Sequence, residues 1–213
     1  MNIAFDGNVF TGKTTLIKKI TQTGRYAVVP EYPCYISKVK NIPACPVEFR
    51  EHYSYLLADS LRQKDLSSEI NLLDRSFVSL AAHIYALYKI GRVDWRKNHL
   101  AAFSELLEQK SIIIPDFFVF VFADYKTAKE RFSADQCLSE NKGTSPLFIE
   151  PDYFSAVDEF NRLWQRGIDC GLTVKCDGGS MESIVVANIK GGKFKKIAKK
   201  RVLELMESIF FMN

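Results

Sequence analysis

The run FDGNVFTGKTT, residues 5 to 15, sets Gly7 five positions before Gly12-Lys13-Thr14. This is the G-x-x-x-x-G-K-[ST] spacing, and each residue type in it has a chemical reason. Glycines let the backbone bend until successive N–H groups point inward at phosphate oxygens, and a helix beginning at Thr14 adds its positive end. Gly7, Asn8, Gly12, Lys13, Thr14 and Thr15 are the expected nucleotide-holding residues. Lys13 would reach the β and γ phosphates of ATP, and the Thr14 hydroxyl would ligate Mg²⁺. The pattern alone admits a phosphoryl transferase or a protein that only responds to the nucleotide.

A phosphate cradle calls for carboxylates beside it. In an open parallel sheet, ligands collect outside the carboxyl ends of the strands, so charged residues at strand ends are candidates. Glu31 closes the apolar run RYAVVPEY, and Asp74-Arg75 closes INLLDRS. Asp74 is the expected partner for Mg²⁺, and Arg75 the group that stabilises charge spread over a transferring phosphoryl. The plainer alternative makes Asp74 a helix cap with Arg75 as its surface ion pair. Glu31 reads equally as a general base or as a solvated strand end.

The elements that must position these residues follow from periodicity. Strand 2–6, helix 14–23 and a second strand ending at Glu31 open the chain. A loop punctuated by Pro33, Pro43 and Pro46 precedes a helix over 47–63. Strand 70–76, helix 77–90, helix 94–109 and the apolar strand 117–123 follow. Helix 125–133, a polar segment 134–149, helix 152–167, strand 172–176 and helix 180–190 complete the body. Strands that are nearly continuous apolar runs, alternating with helices, predict an α/β fold: a three-layer sandwich whose central parallel sheet is covered on both faces. Residues 1–190 are expected to form one domain, followed by a basic amphipathic helix over 191–213.

Composition sets the outer bounds. The 213 residues carry a formal net charge of +4, and 47% are apolar. Residues 190 to 213 hold seven Lys/Arg and two Glu, or +5, which leaves −1 for the rest, so the basicity belongs to the tail. No apolar run approaches the roughly 20 residues needed to cross a bilayer. The N-terminus lacks the basic end and apolar stretch of a signal peptide, which predicts a cytoplasmic protein. Cys34, Cys45, Cys137, Cys170 and Cys176 are scattered without a C-x-x-C pair and read as free thiols.

The quoted residues resemble a known group. VVPEY, 28 to 32, resembles the V-V-P-E-P stretch of deoxynucleoside kinases. LLDRSFVS, 72 to 79, is similar to their E-R-S motif and to the D-R-Y-x-x-S of thymidylate kinases. PDFFVFVFADYKTAKERF, 115 to 132, resembles the strand-plus-helix segment of both, and LTVKCDGGSMESIVVANI their closing strand and helix. Residues 2 to 190 thus resemble the P-loop nucleoside and nucleotide kinases. The resemblance implies ATP and Mg²⁺, Glu31 as the base for a 5′-hydroxyl, and Lys13, Asp74 and Arg75 at the transferring phosphoryl. It also implies a homodimer.

Two departures stand out. The lid that carries arginines in these families falls at 134–149, where no arginine occurs; Lys142 lies in it and Arg131 stands just before it. Where thymidylate kinases place cations for an acceptor's monophosphate, this chain has PEYP and LLADSLRQ, with Ser60 opposite the arginine and Arg62 two residues on. A carboxylate at Glu31 would repel a dianion and suits a neutral hydroxyl, which favours a nucleoside over a nucleoside monophosphate as acceptor. A nucleotide-binding regulatory protein without transfer is the reading from another class.

The helix over 47–63 carries His52, Asp59 and Arg62, and the resemblance places it beside the acceptor's base. Tyr32, Phe77 and Tyr85 could stack on a base, although aromatics in core helices more often pack. His83 and His99 read as structural. Helix 77–88 is apolar nearly all round, so it is buried on both sides or packs against a second subunit. The tail sets Phe194, Ile197, Val202, Leu205 and Ile209 near one face; it reads as a docking helix, with membrane or nucleic-acid contact as the alternatives.

Overall fold

The computed structural model describes residues 1–138, 144–175, 181–192, 194 and 196–212. Five strands form one parallel sheet: β1 (Asn2–Asp6), β2 (Ala27–Val29), β3 (Asn71–Asp74), β4 (Phe117–Phe122) and β5 (Gly171–Lys175), in the order β2-β3-β1-β4-β5. All six side chains of FFVFVF in β4 are buried, which is what a strand covered on both faces requires. Register pairs Phe5 with Asp74 and Asp6 with Phe120, so the carboxyl ends of β1, β3 and β4 share one edge.

The helices are α1 (Lys13–Thr21), α2 (Pro33–Ile36), α3 (Arg50–Arg62), α4 (Phe77–Lys89), α5 (Arg96–Glu108), α6 (Tyr125–Leu138), α7 (Pro151–Gly167), α8 (Met181–Gly191) and α9 (Lys199–Phe211). One layer is built by α1 and α8, the other by α3, α4, α5, α7 and α9. The three-layer α/β sandwich expected from the sequence is the architecture observed.

Several boundaries differ for local reasons. The second strand stops at Val29, because Pro30 has no N–H for the ladder and Glu31 enters a turn leading to α2, whose first residue is Pro33. Residues 47–49 form a 3₁₀ turn before α3. Helix α5 starts at Arg96, where Asp94 Oδ1 accepts from the Arg96 amide at 3.2 Å. Helix α6 runs to Leu138, five residues past its expected end and into the expected lid segment.

Helix α4 is apolar all round because α7 covers one side and α3 and α5 cover others within the same chain. Intramolecular packing therefore accounts for the apolar face that also suited a dimer contact. Helix α9 docks on α5 and α7 through Val202, Leu205, Met206, Ile209 and Phe210, all buried in the main core. The tail is thus packed as a docking helix, continuous with the core of the preceding domain. Arg96 fixes its end by donating to the Phe210 carbonyl while its guanidinium lies 3.2 Å from the Tyr88 ring centroid. No helix among the described residues is long and apolar enough to cross a membrane.

Candidate functional site

The loop between β1 and α1 takes the shape its glycines permit. Gly7 has φ +132° and Gly12 φ +92°, both in the region that favours glycine. A Cβ on Gly7 would lie 2.2 Å from the Val121 carbonyl oxygen of β4, so only glycine fits there. The side chain of Asn8 is clamped by α7, donating to the Phe154 carbonyl at 2.7 Å and to Asp158 Oδ1 at 2.9 Å. Lys13 is buried and folds its ammonium onto the Asn8 carbonyl within the loop. Burial, with Arg75 nearby, lowers its pKa to about 7.

Beside the loop, Thr14 Oγ1 donates to Asp74 Oδ2 at 2.7 Å, linking the first turn of α1 to the tip of β3. Asp74 Oδ1 is buried without a hydrogen-bond partner among the described residues. A free carboxylate oxygen next to a threonine hydroxyl fits a Mg²⁺ that keeps several waters and takes its remaining ligands from phosphates. No group of three or more His, Cys, Asp or Glu among the described residues is arranged to hold a metal.

Arg75 follows at φ +67°, a conformation non-glycine residues adopt where surrounding structure compels it, often at functional sites. Its Nε pairs with Glu31, and its Nη1 donates to the Gly7 carbonyl at 3.0 Å. Burial alone would raise the Glu31 pKa, but the charges of Arg75 and Lys13 outweigh it and hold the carboxyl below its ordinary value. The same pairing works on Arg75, where Glu31 and Asp74 overcome burial and keep the guanidinium charged.

Asp6, which sequence reasoning passed over, organises this turn. Fully buried, it accepts from the Ser76 amide at 3.0 Å, the Ser76 hydroxyl at 2.6 Å and the Ser79 hydroxyl at 2.6 Å. Ser76 in turn caps α4 by accepting from the Val78 amide. The signal was a carboxylate ending the strand that precedes the glycine-containing β1–α1 loop.

A cleft of about 1240 Å³ joins these groups. Gly7, Asn8, Gly12, Lys13, Thr14, Thr15, Glu31, Tyr32, His52, Asp74, Arg75 and Arg131 line it, so the structure brings most of the expected site residues together. Arg131 Nη1 donates to the Phe10 carbonyl at 2.9 Å, touching the loop from α6. Lys142 lies outside the described residues. Tyr55, Glu48, Glu51 and Trp95 also line the cleft and were not foreseen.

Three expected substrate residues are placed elsewhere. Phe77 is fully buried against Phe103, Phe118 and Trp164 in the core. Arg62 and Asp59 form a buried ion pair at 2.9 Å. Arg62 also donates to the carbonyls of Pro30, Asp74 and Arg75 at 3.1, 3.0 and 2.8 Å, and lies over the Tyr32 ring at 4.2 Å. It therefore holds the turns after β2 and β3 together from beneath and does not face the cleft. Tyr85 packs on Phe160 and donates to Glu159, also away from the cleft.

No family model matches this chain, and no curated protein matches it. Solved structures do. The deoxyadenosine kinase from M. mycoides with bound dATP superposes with a TM-score of 0.63 at 17% identity, covering 90% of this chain and 100% of that one. The same enzyme with products dCMP and a flexible dCDP gives the same values. Thymidylate kinase from Candida albicans superposes at 0.61 with 14% identity, covering 92% and 97%. At these identities the likeness shows a shared fold.

Proposed function

We propose that the chain is an ATP-dependent phosphotransferase acting on the 5′-hydroxyl of a nucleoside. The observation that carries the reading is the convergence of Glu31, Arg75, Asp74 and Thr14 on one phosphate loop inside one cleft. The fold shared with nucleoside and nucleotide kinases supports it. At about 1240 Å³ the cleft exceeds the roughly 300–1,000 Å³ of a typical single-ligand pocket, leaving room for donor and acceptor together.

In this reading the loop amides and Lys13 hold the β and γ phosphates, and Lys13 exchanges its contact with the Asn8 carbonyl for phosphate oxygen. Thr14 and Asp74 would hold Mg²⁺, which neutralises phosphate charge when bound. Glu31 accepts the proton of the 5′-hydroxyl as that oxygen bonds to the γ-phosphorus. The bond from the γ-phosphorus to the β–γ bridging oxygen breaks, and ADP leaves. Arg75 faces the charge that develops on the transferring group and aims Glu31 through their ion pair.

Nucleoside is preferred to monophosphate on two grounds. Arg62, the α3 cation nearest the position where the resemblance would put an acceptor-phosphate arginine, is buried in ties to Asp59 and backbone. The wall beside Glu31 adds two further carboxylates, Glu48 and Glu51, which oppose a dianion. A coupled ADP-release assay over nucleosides and nucleoside monophosphates tests this. Turnover with nucleosides supports the proposal; turnover with monophosphates alone refutes it, and ATP binding without acceptor-dependent turnover points to a regulatory protein.

A further inference from the structure

The three histidines of this chain, read from the sequence as one polar residue and two structural ones, converge. His52 Nε2 on α3 lies 2.7 Å from His99 Nδ1 on α5, and His83 Nδ1 on α4 lies 2.6 Å from the Tyr153 hydroxyl of α7. The His52 and His83 rings stack at 6.1 Å with a 21° interplanar angle, and both residues line the cleft. Each keeps a second nitrogen, Nδ1 of His52 and Nε2 of His83, that bonds to no described residue. Neither is among the buried unpaired atoms, so both open onto the cleft.

What these two nitrogens carry is decided behind them. A neutral imidazole has one donor and one acceptor, and the hydrogen bond at one nitrogen fixes the proton at the other. Burial keeps all three rings neutral: it lowers His83 to about 4 and His99 to about 3, and with the neighbouring imidazoles takes His52 well below the usual range. His99 Nε2 is buried with no hydrogen-bond partner among the described residues. A stranded buried N–H is rarer than an unpaired acceptor, so His99 carries its proton on Nδ1 and donates to His52 Nε2. That leaves His52 with its proton on Nδ1. Tyr153 is buried too, and burial raises its pKa so that the phenol keeps its proton. Its acceptor among the described residues is His83 Nδ1, which leaves the His83 proton on Nε2. Both cleft-facing nitrogens are therefore N–H donors, and reversing either ring would strand an N–H or O–H in the core.

The pair lies past the reacting end of the cleft. His83 stands one helical turn beyond Ser79, whose hydroxyl is 3.5 Å from Arg75 Nη1. Phe148, whose ring centroid is 6.0 Å from that of His83, also lines the cleft and sets a flat apolar surface beside the donors. An aromatic surface suits any base, because every base has a π-face. The two N–H groups are selective.

Nucleobase edges differ in what they offer two donors. Guanine presents O6 and N7, and cytosine O2 and N3, as neighbouring acceptors. Adenine sets its amino group beside N1 and N7, and thymine sets its ring N–H beside each oxo group, so each turns a hydrogen toward one of the donors. A site whose buried polar groups are left unpaired rejects the wrong ligand by up to roughly 10⁴–10⁵. Resting on the nucleoside-kinase reading above, we propose that His52 and His83 are a fixed pair of N–H donors that selects the acceptor's base by two neighbouring acceptor atoms, as in guanine or cytosine, against adenine and thymine.

Substrate atoms can be changed while the protein stays intact. kcat/KM would be measured for deoxyguanosine, deoxycytidine, deoxyadenosine and thymidine, and for 7-deaza-deoxyguanosine and 3-deaza-deoxycytidine, which each replace one of the two acceptors by C–H. Deoxyguanosine or deoxycytidine should exceed deoxyadenosine and thymidine by at least about 10²-fold, and the deaza form of the preferred nucleoside should fall about tenfold or more below its parent. Long-range ¹H–¹⁵N spectra of ring-labelled protein should place the proton on His52 Nδ1 and on His83 Nε2, both free and with the preferred nucleoside bound. Turnover of deoxyadenosine or thymidine equal to or above that of the other two, a deaza analogue matching its parent, or a bare nitrogen at either position overturns the inference while leaving the kinase reading standing. Failure of every nucleoside to bind and turn over removes both.

Discussion

Arg75 and Glu31 are ion-paired across the tips of β3 and β2, and the same guanidinium donates to the carbonyl of Gly7 in the β1–α1 loop. One arginine thus sets the distance between the proposed base and the proposed phosphate cradle. Neutralising Arg75 as Arg75→Met should lower kcat by about 10²–10³-fold, the loss seen when one charge-stabilising donor is removed, with KM for the acceptor also raised as Glu31 is released. Steady-state kinetics with ATP saturating would check both effects.

The pH dependence of activity follows from the sign of the Glu31 shift. Its carboxyl lies below the ordinary glutamate value, so the base is already ionised at and above that value. The acid limb of kcat/KM assigned to Glu31 should therefore fall below pH 4.5, and a limb near pH 6 to 7 would mean another group is the base.

Stability should fall on acidification earlier than carboxylate titration would cause. His83 and His99 are lowered from 6.5 to about 4 and about 3, both chiefly by burial. Unfolded histidines bind protons below pH 6.5 while the folded ones remain neutral, so stability drops as pH falls from 6.5 toward 4. Urea midpoints at pH 7.5 and 5 should differ accordingly, and His99→Phe should flatten the difference.

Removing Arg62 tests its role as a strap. Breaking a buried ion pair by deleting one partner costs about 3–5 kcal/mol, so Arg62→Met should lose stability of that order in urea unfolding. Arg62→Lys cannot reach three carbonyls and Asp59 at once, and should also be destabilised. Full stability of either variant would remove the strap.

Helix α9 carries a separate prediction. Phe210 is buried against His99 and Phe160, and Phe210→Ala should cost about 3–5 kcal/mol. Lys200 is exposed and pairs only with exposed Glu204, so Lys200→Glu should cost less than about 1 kcal/mol and leave turnover unchanged.

The sheet, its order of elements and the loop were legible in the sequence because each rests on local pattern: apolar runs such as FFVFVF, and glycines at Gly7 and Gly12 that only one backbone path explains. Glu31, Asp74 and Arg75 were legible because strand ends in a parallel sheet share an edge. Arg62 and Phe77 were misread because a helix period says which residues share a face, and tertiary packing decides what that face meets. The convergence of His52, His83 and His99 was invisible for the same reason: they come from three helices separated by 31 and 16 residues, and no spacing rule joins them.

Phosphoryl transfer with Glu31 as base is read by following label from γ-³²P-ATP with Mg²⁺ onto a nucleoside, for the wild-type chain and Glu31→Gln. The wild type should give a labelled 5′-monophosphate, formed about 10²–10⁴-fold more slowly by the variant at similar ATP affinity. Equal transfer by both proteins, or no label on any nucleoside, would contradict it.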